Sequence, residues 1–526
     1  MIDPHLEAAA QGWIDADPHD GDRAELHELL RAAANDDAAE LDLGARFSSS
    51  LTFGTAGLRG PLRAGPNGMN LAVVRRTTAG VAAWLREAGH DGVVIGFDAR
   101  HRSHEFALDA AGVLSAAGLQ VWLADRPWPT PVTAFAVRDL GAGAGIQITA
   151  SHNPASDNGY KVYDHTGSQI IPPDDALIAS AIEAQPGANQ IAVSTVPASI
   201  GAPMIDRYLD LAASAASAPP DRQVRIVYTP LSGVGGAVMK RLFARVGFDD
   251  VHVVASQARP DPTFAGLPFP NPEEPGVLDA ATALAVQVGA DLVIANDPDA
   301  DRLAVCLPDV DGAWRMLSGD ELGLVLGEEL LRTRSGVVAR TYVSAPALDV
   351  VAARMGSACV VTPTGFKWLS RAADDRGAPL VFAYEEALGY LVDERVRDKD
   401  GMTAALVAAS CAATEPLLDR LTRLAVLDGM WVTTQWAPRF EGVDGPTRMR
   451  DAVRSLGDDD PAVVTFESGR ALVRPSGTEP KLKCYFQAHV MIDEATPAAY
   501  ERGRAAGLVL CESMRGQLAS RLGLAS

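Results

Sequence analysis

Cysteine is scarce in this chain, with five residues among 526: Cys306, Cys359, Cys411, Cys484 and Cys511. Their number is odd and none stands in C-x-x-C spacing, so neither a disulfide framework nor a zinc site is expected, and a reducing compartment suits them. Positive charge is also in deficit: 46 Lys and Arg stand against 67 Asp and Glu, a net charge of −21 with a pI near 4.9. So acidic a surface repels a phosphate backbone, which argues against nucleic acid as a partner but leaves room for a small anion in a local basic cleft. No 18 uncharged apolar residues run together, so no transmembrane helix is expected. The opening residues are acidic and lack a basic segment followed by an apolar core, so no secretion signal is expected either. The expectation is a cytoplasmic chain with no membrane partner.

Hydrophobic residues, at 47%, are numerous enough for several cores, and roughly 150 residues per domain gives three to four domains as a prior. The 48 Gly and 34 Pro punctuate apolar runs and so predict tight turns. Residues Glu25 to Ala34 and Asp37 to Phe47 carry Leu and Ala at helical spacing. From there, short apolar runs alternate with Ala/Leu-rich helical stretches. The runs are Val93–Phe97, Val121–Ala124 and Ile146–Thr149, then Val224–Tyr228, Val251–Val254 and Leu292–Ala295, then Val337–Val343, Cys359–Thr362 and Leu380–Tyr384. Such βαβ alternation predicts an α/β protein with parallel or mixed sheets in three blocks. A fourth, smaller α+β block has antiparallel strands at Val463–Phe466, Ala471–Val473 and Leu482–Gln487, followed by a helix beginning near Thr496. Joints are expected at Ala184 to Pro203, Asp309 to Ser318 and Asp428 to Trp436.

In α/β sheets, ligands bind beyond the carboxyl ends of strands, and four segments there carry chemistry. Gly145 to Pro154 sets Ser151 just past a buried strand; a serine alone is a poor nucleophile, and ordinary turn chemistry explains it equally well. Leu292 to Arg302 runs a strand into Asp297, Asp299 and Asp301. Alternate carboxylates repel one another unless a cation sits between them, and hard oxygen ligands of this kind suit magnesium. An EF-hand is excluded, because its sixth and twelfth positions would be Arg302 and Pro308. A haloacid-dehalogenase-type phosphatase also places D-x-D after a strand, but on the first strand of its domain. Arg474-Pro-Ser476-Gly477-Thr478 offers a guanidinium fork, hydroxyls and turn amides that match a phosphate. Phe382 to Tyr390 ends a strand on Glu385 and Glu386, which could accept from sugar hydroxyls or simply lie on the surface.

Taken together and in this order, the four segments resemble the α-D-phosphohexomutase family, which includes phosphoglucomutases and phosphomannomutases. Thr149-Ala-Ser-His-Asn-Pro154 is similar to its phosphoserine loop and Asp297-Pro-Asp-Ala-Asp-Arg302 to its metal loop. Tyr384 to Gly389 is similar to its sugar-binding loop and Arg474 to Thr478 to its phosphate-binding loop. Phe53 to Gly60, Asn158 to Tyr163, Thr362 to Lys367 and Arg397 to Gly401 also match. The resemblance implies three related α/β domains and a smaller C-terminal α+β domain around a central cleft. Their boundaries are expected at 1–200 with the phosphoserine loop, 201–312 with the metal loop, 313–430 with the sugar loop and 431–526 with the phosphate loop.

It further implies a phosphoryl group carried on Ser151 and one Mg²⁺ held by Ser151, Asp297, Asp299 and Asp301. Arg59, His152 and Lys161 would assist transfer, with His152 or Lys161 handling the proton. Arg302, Thr364, Gly365, Lys367, Glu385 and Lys399 would bind the substrate, and Arg474, Ser476, Gly477 and Thr478 its phosphate. The implied reaction moves phosphate between C1 and C6 of a hexose phosphate, glucose and/or mannose, through a sugar 1,6-bisphosphate that also serves as activator, in a monomer or homodimer. Where many relatives carry Gly-Glu-x-Ser, this chain has Tyr384-Glu385-Glu386-Ala387. That form is closer to the phosphoglucomutase-2-like and phosphopentomutase-like branch, so a phosphopentomutase or a sugar-bisphosphate synthase is the alternative. A catalytically silent sugar-phosphate binder would be marked by loss of Ser151 or a loop aspartate, and all are present.

Overall fold

The computed structural model describes residues 2–195, 199–216, 223–440, 442, 444–457, 461–475 and 481–524. The chain forms two compact units, one of Met1–Pro219, Arg225–Ala304 and Gly389–Val407, the other of Pro220–Val224, Val305–Leu388 and Ala408–Ser526.

In the first unit, helices Pro4–Ala16, Asp20–Ala33 and Asp37–Phe47 close on a small core of Ala10, Ile14, Leu26, Ala33, Leu43 and Ala64. A six-stranded sheet follows, in the order Leu58–Pro61, Asp157–Asp164, Ala144–Ile148, Gly92–Phe97, Gln120–Ala124, Ser199–Ile200. Its inner strands run parallel because helices Ser103–Ala116 and Thr130–Leu140 cross between them, as parallel pairing requires. Both Gly92–Phe97 and Ala144–Ile148 are buried along their whole length; Gly92–Phe97 therefore reads as an unbroken apolar run, while the buried Gln147 interrupts Ala144–Ile148. Strand Asp157–Asp164 returns antiparallel and places Lys161 opposite Gln147. In the same unit Ile226–Thr229, Val251–Val253 and Leu292–Ala295 pair in parallel, with helices Gly235–Val246 and Asp279–Val288 as crossovers.

The second unit holds the parallel strands Val337–Thr341, Cys359–Thr362 and Leu380–Glu385. Helix Gly319–Thr333 opens on a capping box in which Ser318 Oγ accepts from the Glu321 amide and the Glu321 carboxylate accepts from the Ser318 amide. The unit ends in an antiparallel sheet, ordered Met430–Trp436, Leu482–Val490, Gly469–Pro475, Ala462–Phe466. The last helix, Pro497–Arg521, is capped by Thr496 and packs Cys511, Met514 and Leu518 into that sheet's core.

The α/β class and the antiparallel last block stand as the pattern predicts. Two of the expected joints contain strands. Asp428 to Trp436 contains the strand Met430–Trp436, whose Met430 and Val432 point inward in period-two alternation. Asp309 to Ser318 contains a strand, Trp314–Met316, paired antiparallel with Cys306 to Pro308. The third, Ala184 to Pro203, holds a short 3-10 turn, strand Ser199–Ile200 and the start of helix Ala202–Ala215, with residues 196–198 outside the described set. The first 47 residues are helical, and a helix at Pro4–Ala16 precedes the two stretches with Leu and Ala at helical spacing. Among the described residues, no single helix is long and apolar enough to cross a membrane.

Candidate functional site

Ser151 sits three residues beyond strand Ala144–Ile148, buried at 3% exposure. Its backbone is left-handed (φ 53°), a conformation that costs a serine about 1–3 kcal/mol and must be imposed by its surroundings. Two groups impose it. The Ser151 amide donates to Thr149 Oγ1 (2.8 Å), and Arg100 grips the loop from beneath. The Arg100 guanidinium donates to the carbonyls of Ser151 (2.6 Å), Asn153 (2.6 Å), Pro154 (2.7 Å) and Asp157 (3.1 Å). Asp98, 3.3 Å from Arg100 Nε, offsets the buried positive charge. The sequence reading missed Arg100. Its signal was present, since Asp98-Ala-Arg100 directly follows the apolar run Val93–Phe97, at the strand end where chemistry is sought.

The hydroxyl of Ser151 donates to Asp297 Oδ2 (2.9 Å) and lies 3.1 Å from His152 Nδ1. Asp297, Asp299 and Asp301 are all fully buried, and each presents an oxygen within 4.8 Å of the others. The turn at Ala300 (φ 58°) folds the segment so that the three carboxylates converge. Burial, Asp299 and Asp301 push the Asp297 carboxyl well above the usual range. Burial also opposes the charge on Asp299, but Lys161 and hydrogen bonds outweigh it and hold that carboxyl low. Lys161 Nζ donates to Asp299 Oδ2 (2.9 Å) and Asp301 Oδ2 (3.0 Å), and Thr130 Oγ1 to Asp299 Oδ2 (2.7 Å). Lys399 Nζ lies 3.2 Å from Asp301 Oδ2. Two carboxylate oxygens, Oδ1 of Asp299 and Oδ1 of Asp301, are buried and accept no hydrogen bond from the described residues. Orphaned hard oxygens in a converging set fit a divalent cation.

Burial would push Lys161 down, but Asp299 and Asp301 outweigh it and hold the ammonium above its ordinary range. His152 goes the other way: burial, with Arg302 and Arg59 repelling a second positive charge, lowers it to about 2, so the ring is neutral near pH 7. Arg59 lies on an exposed edge and donates to Asn153 Oδ1 (3.0 Å), and Arg302 Nη1 is 3.6 Å from Glu273 Oε2. Lys399 is placed by Asp398, which accepts from Tyr163 Oη (2.8 Å) and Gln169 Nε2 (3.0 Å). The first unit thus brings together Arg59, Ser151, His152, Lys161, the three aspartates, Arg302 and Lys399.

The second unit carries Thr364, Gly365, Lys367, Glu385 and Arg474; Ser476, Gly477 and Thr478 lie outside the described residues. Lys367 Nζ stands 5.7 Å from the Trp368 ring centre. Arg474 Nη2 donates to Tyr485 Oη (3.1 Å). The loop of Glu385 and Glu386 is pressed against the first turn of helix Gly319–Thr333, where a Cβ on Gly319 would collide with the Glu386 carbonyl. Glu386 turns Oε2 toward Thr341 Oγ1 (3.3 Å) and Ser344 Oγ (3.4 Å). Burial, Glu385 and Asp320 push its carboxyl up to about 8.

Two outcomes follow from this geometry. Replacing Arg100 with Met leaves Asp98 and four carbonyls without their partner, so chemical unfolding should show a loss of about 3–5 kcal/mol. Glu386 keeps its proton in the folded chain over a range where the unfolded chain has lost it, so stability falls as pH rises from about 4.5 to 8. In Glu386→Gln this contribution vanishes, and urea midpoints compared at the two ends of that range should show a flatter pH dependence.

The likeness to known proteins covers nearly the whole chain. Family models described as phosphoglucomutase/phosphomannomutase alpha/beta/alpha domains I, II and III match residues 50–188, 206–311 and 318–425, and the C-terminal domain of that family matches 439–495. A probable phosphomannomutase of Haemophilus influenzae is 37% identical over 462 residues, covering 80% of this chain and 93% of that one. A phosphopentomutase of Mus musculus is 34% identical, covering 92% and 90%. The crystal structure of a putative phosphomannomutase from Thermus thermophilus shares the fold, with a TM-score of 0.66 at 24% identity over 88% of this chain and 99% of that one. With all four domains matched in order and relatives this similar over nearly their whole length, the chain belongs to the phosphoglucomutase/phosphomannomutase family, the α-D-phosphohexomutases, whose members are phosphate-transferring isomerases.

Proposed function

We propose that the chain is a phosphosugar mutase that moves phosphate between C1 and C6 of a hexose phosphate, glucose and/or mannose, through a phosphoserine at Ser151 and a sugar 1,6-bisphosphate. The observation that carries this reading is the meeting of the Ser151 hydroxyl with Asp297, beside two buried aspartate oxygens that lack a partner. Asp297, Asp299, Asp301 and Ser151 would hold one Mg²⁺. When bound, that ion neutralises charge on the transferring phosphoryl group.

The remaining work falls to this chain's own residues. A sugar hydroxyl oxygen bonds to the phosphorus on Ser151 as the bond to Ser151 Oγ breaks, and the hydroxyl proton ends on Ser151 Oγ. His152, whose Nδ1 is 3.1 Å from that oxygen, is placed to relay the proton. Lys161 is held protonated, so its part is to offset negative charge. Arg59 and Arg302 add positive charge, and Arg474 with Ser476, Gly477 and Thr478 would hold the phosphate that is not reacting. Thr364, Gly365, Lys367, Glu385 and Lys399 would receive the sugar. After the bisphosphate turns round, the same exchange runs in reverse on its other phosphate.

One observation favours a second reading. The sugar loop reads Glu385-Glu386-Ala387, with no serine hydroxyl, and a phosphopentomutase is among the relatives of high coverage. The deciding experiment is a comparison of kcat/KM for glucose 1-phosphate, mannose 1-phosphate and ribose 1-phosphate, with and without a hexose 1,6-bisphosphate. Interconversion of hexose 1- and 6-phosphates is the expected result, and a strong preference for ribose 1-phosphate would transfer the assignment to pentoses. Ser151→Ala should abolish turnover, as should stripping divalent cations with a chelator, with Mg²⁺ restoring only the latter. Full turnover by Ser151→Ala would overturn the mechanism.

A further inference from the structure

Lys399 is shared by two buried carboxylates. Its Nζ lies 3.2 Å from Oδ2 of Asp301 and 3.5 Å from Oδ1 of Asp398, and both aspartates are fully buried. Asp301 belongs to the converging set that fits a cation, whereas Asp398 does not.

Asp398 is held without help from the triad. Tyr163 Oη donates to its Oδ2 (2.8 Å), Gln169 Nε2 to the same oxygen (3.0 Å), and the Lys399 amide to Oδ1 (2.8 Å). Donors on both oxygens fit the ionised, acceptor-only carboxylate. Tyr163 stands two residues beyond Lys161 on strand Asp157–Asp164, so the two side chains leave the same face. Gln169 pairs with Tyr163 through an isolated bridge. The loop that carries Asp398 is fixed as well: the Asp400 amide donates to the Tyr390 carbonyl (2.8 Å), and Tyr208 Oη donates to Asp400 Oδ1 (2.7 Å). Gly401 packs so closely on the aspartate loop that a Cβ there would collide with the Arg302 carbonyl. Lys399 and its second carboxylate are therefore set against the aspartates by contacts that involve no cation.

Oδ2 of Asp301 is crowded, because Lys161 reaches the same oxygen at 3.0 Å. An ammonium and a divalent cation compete for one carboxylate, since each offsets the negative charge that draws the other. We propose, on the reading of Asp297, Asp299 and Asp301 as metal ligands, that Asp398 is a positioning residue for the cation site: it draws part of the Lys399 ammonium's charge to itself and so keeps Asp301 negative enough to hold a divalent cation. Without the charge on Asp398, Lys399 leans wholly on Asp301 and cation affinity falls. Groups one layer behind metal ligands act in this way.

The test is isothermal titration of the chelator-stripped, dephosphorylated full chain with MgCl₂. Asp398→Asn keeps the side chain's shape and removes its charge, and it should bind Mg²⁺ about 10–100-fold more weakly than the unaltered chain. Lys399→Gln takes away the competitor and should bind Mg²⁺ about tenfold more tightly. The double variant Asp398→Asn/Lys399→Gln has lost both charges, so its affinity should return at least to that of the unaltered chain. A merely structural role for Asp398 would leave the double variant as weak as the single one. Undiminished binding by Asp398→Asn, or a double variant without recovery, overturns the proposal. Should Asp398→Asn not fold, Lys399→Gln decides, and no gain in its affinity overturns the proposal too. If the unaltered chain binds no Mg²⁺, the metal reading falls and this inference with it; binding there with no difference among the variants removes this inference alone.

Discussion

Three carboxylates buried side by side are the constraint around which the rest of this site is arranged. Asp297, Asp299 and Asp301 lie wholly out of water, and like charges in that setting repel strongly unless cations stand among them. The protein supplies Lys161 and Lys399, one from the antiparallel strand Asp157–Asp164 and one from the loop after Gly389–Leu391. Those two ammonium groups do not complete the set, because an oxygen on each of Asp299 and Asp301 still lacks a partner among the described residues. A divalent ion resolves that imbalance. Its place would lie beside the one hydroxyl, Ser151, that also touches the cluster.

The scaffold holds that hydroxyl by a division of labour. Strand Ala144–Ile148 fixes where the loop begins, Thr149 sets its first turn, and Arg100 gathers four of the loop's carbonyls. Positioning of this kind is what phosphoryl transfer asks of a protein, since little covalent help is needed beyond the serine itself. The left-handed backbone at Ser151 is tolerable because the surrounding hydrogen bonds over-determine it.

How legible was this in the sequence? The strand that leads into the aspartates was readable because it is buried along its length and so appears as an unbroken apolar run: Leu292–Ala295 matches residue for residue. The serine and the aspartate triad were readable because both stand at strand ends in distinctive spacing, and the family resemblance they carry is shown by the four matched domains. Arg100 was readable only as a charged residue at a strand end; its role was not, because its partners lie some fifty residues away and only folding joins them. Nor was the strand Met430–Trp436: Asp428 and Gly429 look like turn punctuation, and its polar outward positions mask the alternation. For Glu385 and Glu386 the sequence left sugar binding and surface charge both open, and the inward turn of Glu386 follows from the packing of its loop against Gly319.

The central claim is that the hydroxyl beside the aspartate cluster is the phosphoryl carrier. Mass-spectrometric peptide mapping after brief incubation of the protein with a hexose 1,6-bisphosphate and Mg²⁺ addresses it directly. The account predicts one phosphoryl group per chain, located on the peptide that contains Ser151 and on that serine. An unmodified Ser151, or a phosphoryl group found on another residue, would contradict it.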